Sequence, residues 1–412
     1  MTITNRRPKN KFGVAFAWQT NDTTPASISN ARFFVASDVS SERGQIAIDP
    51  QGTHGSMFMK DTHREVAIRP RVSITIFGAR EFLSFLLEAA TFGQPSVSNA
   101  DITESGDTAG VLSNWSLTGV RVGYNTDNAA KLYVTLDADA PSAGQNTVSL
   151  YKDAARTQLV AQGIGGDNTT ITLSEQNSSG LSGSVDIGAA SADNSNIELT
   201  LNKITYNFAA LPTRKFTTFI TDGTDMYKYV GCVVNLLECS SEDESPLVCR
   251  VEIWALNEVN EPAAGTITIP AMNVYSHHDL IFTTDVAGTP TTQSPKSFVW
   301  TITNNLSDPL AGGATPAVIF NRSVDLTLTC RLEPSDEAEA LLDKGRAGTY
   351  EQIRAQYTLG LKTFEVTWNK AKVINPTGRS FRGDDIGEIE ISMICREVLD
   401  ASSPAMIITL QP

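Results

Sequence analysis

Residues 71–77 (RVSITIF) alternate apolar with charged or hydroxylic side chains, the period of a strand with one wet face. The period then changes: across 79–90 (AREFLSFLLEAA), Phe82, Leu83, Leu86 and Leu87 recur at helical spacing. The same succession returns at 323–330 (SVDLTLTC), where Val324, Leu326 and Leu328 share a face, followed by a helix over 335–344 (SDEAEALLDK). Ser335, after Pro334, is suited to cap that helix, with acids in its first turn. A hairpin follows each helix. In the first case 226–239 (MYKYVGCVVNLLEC) and 247–256 (LVCRVEIWAL) flank the polar turn 240–246. In the second, 362–374 (KTFEVTWNKAKVI) and 387–398 (GEIEISMICREV) flank 375–385. The last strands even share Glu-Ile, at Glu252-Ile253 and Glu390-Ile391. Strand, helix, hairpin therefore occurs twice, which predicts a duplicated, mainly β (α+β) chain of two β-barrel or sandwich units with one helix each. Sheet-forming units with open edges need partners for those edges, and a ring of chains supplies them.

Between the first helix and its hairpin the pattern breaks into short runs, KLYVTL (131–136), TVSLY (147–151), TTITL (169–173) and NIELTL (196–201), separated by turn residues. That spacing predicts an inserted β-sandwich over 101–200. The first unit is then discontinuous, 1–100 and 201–265, and the second covers 266–412. The insertion is also where the charge lies. The chain has 46 Asp plus Glu against 32 Lys plus Arg, a net charge of −14. Residues 100–200 hold 12 acids and 4 bases, hence −8 of it. Such a chain lacks the basic face that nucleic acid or an anionic membrane requires.

Candidate chemistry is sparse. Neither a secretory leader nor an apolar run of membrane-spanning length is expected. Cys232, Cys239, Cys249, Cys330 and Cys395 form no CxxC and read as buried thiols on strands, with Cys239 and Cys249 across a hairpin as the one pair that could meet. His277 and His278 are expected in a solvent-exposed loop, and His54 and His63 in another. Asp137 and Asp139 alternate like a calcium-binding edge but lack any matching acidic cluster. No nucleophile, metal or phosphate motif appears, so no catalytic residue, cofactor or metal is assigned and no enzyme is expected. The hairpin turns differ in sign: Glu242, Asp243 and Glu244 in the first, Arg379 and Arg382 in the second. Opposite charge at equivalent tips suggests that they face one another across a subunit interface.

The strand 71–77 with its helix, then YKYVGCVVNLLEC, a polar turn and PLVCRVEIWA, resembles the tail tube proteins of long non-contractile tailed bacteriophages, the siphovirus type. The run 361–397 with the ending AMIITL (405–410) is similar to the C-terminal half of the same family. The inserted YKDAARTQLVAQG and SEQNSSGLSGSV phrases look like immunoglobulin-like decoration modules of phage tails. The resemblance implies a structural virion protein, made in the host bacterial cytoplasm, that stacks as rings into a tube through which DNA passes unbound. Its implied partners are other copies of itself, a tape measure protein, a tail terminator and distal tail or baseplate proteins. Two units per chain imply trimeric, pseudo-hexameric rings. A smooth polar or acidic lumen wall is then needed, and two faces offer one: Glu252 with Glu388, Glu390 and Ser392, or Glu365 with Thr367 and Asn369. Arg250 sits awkwardly on the first. A different class of function stays open, a surface-displayed carbohydrate-binding adhesin using Trp115 and the tyrosines Tyr124, Tyr133 and Tyr151 of the insertion as a sugar platform.

Overall fold

The structure, a computed structural model, describes residues 12–21, 24–28, 31–48, 64–107, 110–121, 131–177, 179–190, 192–212, 214–221, 225–262, 273–307, 320–321, 323–374, 379–380, 388–395 and 406–411. It is mainly β and antiparallel, with two α-helices among the described residues. The first part runs β1 (Phe12–Trp18), β2 (Arg32–Ala36), β3 (Asp38–Ile48), β4 (Arg64–Phe77) and α1 (Arg80–Thr91). The intervening segment holds β5 (Ser96–Val97), β6 (Ile102–Ser105), β7 (Leu112–Thr118), β8 (Lys131–Asp137), β9 (Gln145–Tyr151), β10 (Leu159–Gly166), β11 (Thr169–Glu175), β12 (Ser182–Ile187), β13 (Asn194–Leu201) and β14 (Ile204–Tyr206). Next come β15 (Phe216–Thr221), β16 (Asp225–Glu242), β17 (Val248–Trp254) and β18 (Asn257–Pro262). The last part runs β19 (Leu280–Thr284), β20 (Thr291–Gln293), β21 (Pro295–Thr303), β22 (Leu306–Ser307), β23 (Phe320–Asn321), β24 (Asp325–Leu332) and α2 (Asp336–Ala347). It ends with β25 (Glu351–Leu359), β26 (Lys362–Val373), β27 (Arg379–Ser380), β28 (Glu388–Cys395) and β29 (Met406–Leu410).

One pairing order occurs twice. In the first part β2–β1–β15–β16 form one ladder, and β3–β4–β17–β16 another, with β18 on the opening half of β16. In the last part β20–β19–β25–β26 and β21–β24–β28–β26 pair in the same way, with β29 in the place of β18. An offset of 256 residues carries Arg80–Thr91 onto Asp336–Ala347, and carries both caps with it. Ala79 falls on Ser335 and Phe92 (φ 63°) on Gly348 (φ 73°), both left-handed. Ser335 caps α2 as its sequence predicts, accepting from the Ala338 amide at 3.1 Å.

Where the parts differ is in the interval after the helix. Glu351 follows Ala347 almost at once, whereas β15 begins at Phe216, more than a hundred residues after Thr91. The strands β6, β13, β8, β9, β10 and β11 of that interval pair in that order. β11 also pairs β12, which leads through β7, β5 and β14 to β29. Its base is therefore laddered to the last strand of the chain. The aromatic core of the first part gathers Phe16, Trp18, Phe85 and Phe216 beneath α1. That of the last part gathers Phe298, Trp300, Tyr357, Phe364 and Trp368.

Helix α1 is buried on all sides from Phe82 to Phe92, not only along the predicted stripe. Two polar residues interrupt its apolar run, and each has a partner. Ser84 Oγ bonds the Tyr206 hydroxyl at 3.0 Å. Glu88 takes a two-pronged ion pair from Arg121, with both N···O distances 2.7 Å.

Candidate functional site

Seven strands lie side by side in the order β3, β4, β17, β16, β21, β24, β28, with β27 on the far side of β28. The pairing β16–β21 joins the two repeated parts into one sheet. Strand β16 spans both ladders because Gly231 (φ 68°) turns its backbone midway, and the Gly231 amide donates to Gln19 Oε1 at 2.8 Å. Alternation gives this sheet two faces. Inward, Ile74, Val251, Leu237, Ile302 and Leu326 form one buried row, and Ile76, Cys249, Cys239, Trp300, Leu328 and Met393 the next.

The other face is polar. One row reads Asp38, Thr75, Arg250, Glu238, Thr301, Thr327, Ile394, and its neighbour toward the hairpin tips reads Phe77, Val248, Ser240, Val299, Thr329, Ser392, with apolar residues at one end of each. Short hydroxyls bond sideways instead of projecting: Thr301 Oγ1 to Thr327 Oγ1 at 2.5 Å, Thr329 Oγ1 to Ser392 Oγ at 3.3 Å. Acids at these positions (Asp38, Glu42, Glu238, Glu242, Glu252, Asp325, Glu388, Glu390) outnumber bases (Arg69, Arg71, Arg250, Arg331). Three of the four bases stand directly opposite an acid, Arg71 against Glu42, Arg250 against Glu238 and Arg331 against Glu390, while Arg69 is opposite Gly44, and Arg71 also lies over the Trp254 ring at 4.4 Å. The face closes at one end, where Trp254 packs with Val233, Leu306 and Phe92. Glu252 is half-buried there and accepts from Trp254 Nε1 at 2.9 Å and Asn235 Nδ2 at 3.2 Å.

The residues expected from sequence divide between two surfaces. Glu252, Ser392 and the positions of Glu388 and Glu390 share the seven-strand face. Glu365, Thr367 and Asn369 lie on a separate stretch of β26 between β25 and β29, opposite buried Phe364, Val366 and Trp368. Their neighbours include Arg354, directly opposite Thr367, and Asn369 accepts from Gln352 Nε2 at 2.6 Å. Of the hairpin-tip residues, Glu242 ends β16, the Asp243 amide donates to Lys296 O at 3.0 Å, and Glu244 is left-handed (φ 59°). Arg379 lies on β27, paired with Ile389. Arg382 lies outside the described residues, as do His54, His63 and Tyr124.

Two expectations need correction. His277 is not in a solvent-exposed loop: it is buried, with Nε2 2.6 Å from Pro295 O and Nδ1 2.9 Å from Ser241 Oγ. A carbonyl only accepts, so Nε2 carries a proton and donates to it, while Nδ1 shares a hydrogen bond with Ser241 Oγ, which is also bonded to the Tyr357 hydroxyl (3.0 Å). This chain of bonds pins β16, β21 and β25 together at the junction of the two parts. Nor can Trp115 stack on a sugar. It is buried, and its Nε1 donates to Glu104 Oε2 at 2.5 Å. Glu104 is half-buried in turn, and its carboxyl is pushed above the usual range chiefly by that burial. Cys232, Cys239, Cys249 and Cys330 are buried thiols outside any disulfide, with Cys239 and Cys249 directly opposite at 3.3 Å. No group of three metal-ligating side chains occurs among the described residues, and no described helix is long and apolar enough to cross a membrane.

A family model described as phage tail tube protein matches residues 78–393. Comparison with curated proteins gives no match.

Proposed function

The chain belongs to the phage tail tube protein family, a structural family whose members self-assemble into the tube of the virion tail, and from that premise we propose how this chain builds its tube. It consists of two tandem tube units, 1–100 with 201–265, and 266–412, with 101–200 inserted as an immunoglobulin-like decoration. Three chains close a pseudo-hexameric ring, rings stack, and phage DNA passes through the lumen without specific binding. Assembly takes place in the host cytoplasm on distal tail or baseplate proteins, around a tape measure, under a terminator.

The observation that carries this reading is the β16–β21 ladder, which joins two copies of one pairing order edge to edge within a single chain. Each copy contributes four strands to that wall: β3, β4, β17 and β16, then β21, β24, β28 and β27. At about 4.8 Å per strand, three chains with eight strands each close at about 37 Å between backbones, and wider once the strands tilt. Two chains close at about 24 Å, which inward side chains narrow to a channel too small for a duplex. The ring of three is the smallest that leaves room for a duplex. The polar seven-strand face, with more acids than bases, most bases opposite an acid, and laterally bonded hydroxyls, lines the lumen, because isolated cations there would hold phosphates and slow transit. The β26 face of Glu365, Thr367 and Asn369, which carries Arg354 beside them, lies elsewhere.

Electron microscopy of the concentrated protein tests this. Rings or tubes with threefold chain symmetry and six density lobes are expected. A chain that stays monomeric alongside its tail partners, or rings of six chains, refutes the trimeric reading.

A further inference from the structure

The seam inside one chain is a template for the seam between chains. In the first repeated part, the closing half of β16 lies between two strands, β17 on one side and β21 on the other, with Ser240 directly opposite Val299. Its counterpart in the last part is β26 continued by β27. The two hairpins superimpose with one offset: β16–β17 and β27–β28 register about tips 140 residues apart, so Ser240 corresponds to Ser380 and Cys239 to Arg379. The helix offset of 256, applied to β4 and β24, independently returns 140 for β17 and β28. Along the same route β3 corresponds to β21 with an offset of 259, since Ser40 opposite Ser73 matches Val299 opposite Thr329.

Two of these counterparts lack a partner that their equivalents have. Among the described residues β3 pairs only with β4, whereas β21 lies between β24 and β16. Likewise β27 pairs only with β28, where the closing half of β16 has β21 as well. Backbone donors and acceptors along such an edge demand a partner.

We propose that β3 of a second copy of this chain adds to β27, reproducing the β16–β21 seam with Ser40 of one copy opposite Ser380 of the next and Ser41 opposite Arg379. The inference rests on the ring reading and adds to it the strand pair and the register. It also revises the expected charge-matched meeting of hairpin tips: the second hairpin meets the β3 edge and not the first hairpin.

The test uses the full chain carrying Ser40→Cys and Ser380→Cys, assembled and then treated with a short bis-maleimide that alkylates two thiols, with each single variant as the background for native thiols. Denaturing electrophoresis should show most of the monomer converted to a ladder that stops at three chains, with neither single variant giving it. Amide exchange on the unmodified chain provides a second readout: alternate residues of β3 should slow at least about tenfold on assembly, while β21 stays unchanged. If the double variant does not assemble, the exchange result decides alone. Tubes that form without the cross-link and without new β3 protection overturn the register while leaving the ring reading intact. A wild-type chain that forms no rings or tubes overturns the ring reading first.

Discussion

Removing the Arg121 guanidinium should be the most damaging single truncation in the region where the inserted segment meets α1. Its Nε and Nη2 each lie 2.7 Å from a Glu88 oxygen, Nη1 donates to Ser179 O at 2.8 Å, and the guanidinium lies 5.1 Å from the Trp18 ring. The two side chains are 2% and 1% exposed, so water cannot replace the lost partner. Arg121→Met leaves a buried carboxylate unpaired and an unsatisfied Ser179 carbonyl, at a cost of about 3–5 kcal/mol for the broken pair. Glu88→Leu strands the cation instead, with a cost of the same order. The double variant Glu88→Leu/Arg121→Met strands neither charge and should lie within about 1 kcal/mol of the parent, because desolvating the pair cancels most of its attraction. Urea unfolding of the unassembled chain, followed by tryptophan fluorescence and by proteolysis of the inserted segment, gives all three values. A coupling energy of about 3 kcal/mol or more is expected. Single-variant costs that simply add in the double would show that the two charges act independently, and the reasoning would fail.

Gly231→Ala should destabilise by at least about 1–2 kcal/mol, since φ is 68° and the new Cβ would lie 2.6 Å from Leu256 Cδ1; the urea midpoint reads this, and an unchanged midpoint would remove Gly231 as the turning point of β16. Burial pushes the Cys232 thiol up to about 12. Its folded value is raised, so its contribution is fully present below the unfolded value of about 8.5 and is lost as pH rises toward 12, by up to about 1.4 kcal/mol per unit. Unfolding free energies at pH 7 and pH 10 should therefore differ more in the parent than in Cys232→Val, and equal differences would contradict this. Excision of 102–201 should leave tube formation intact if the segment is decoration, because the Asn202 amide already bonds Asp101 O at 2.7 Å. The excised chain must also carry Glu88→Leu, since Arg121 goes with the segment. Loss of tubes in a folded, monodisperse excision variant would assign the segment to the wall.

What the sequence shows depends on whether a residue's partner lies within its own period. Helix α1 with its stripe, the Ser335 cap and both hairpins are local patterns, and they stand within a few residues of where the spacing puts them, while β4 covers 71–77 but begins earlier, at Arg64. Strand β25 alternates Ile353, Ala355 and Tyr357 with Gln352, Arg354 and Gln356 as cleanly as any, and only its position between a helix and a hairpin disguised it. Strand β3 (DVSSERGQIAI) is polar enough to read as a loop, which is what an edge strand awaiting a partner looks like. The roles of Glu88 and His277 were not legible. Glu88 meets an arginine 33 residues away, and His277 meets β16, β21 and β25 only after the two parts have joined. The two candidate polar faces look alike in sequence. Only the ladder shows that the set containing Glu252 lies on the sheet that runs through both parts, and that most of its arginines face acids.

That placement changes what the net charge of −14 means. More than half of it sits in 100–200, on strands laddered to β29 and away from the β16–β21 seam. Screening confines the influence of a surface charge to about 8–10 Å at physiological salt, so the potential over the polar face is set chiefly by the charges that the sheet itself carries. The local inventory matters instead: eight acidic positions against four bases, three of which stand opposite an acid. Neutralising Glu238 would leave Arg250 without its opposite charge on the proposed lumen face, in every ring of the tube. A Glu238→Gln tube should therefore retain DNA in a salt-dependent way that the parent does not. Co-sedimentation of DNA with assembled tubes across a salt series measures it, and identical sedimentation of the two would place the lumen on another face.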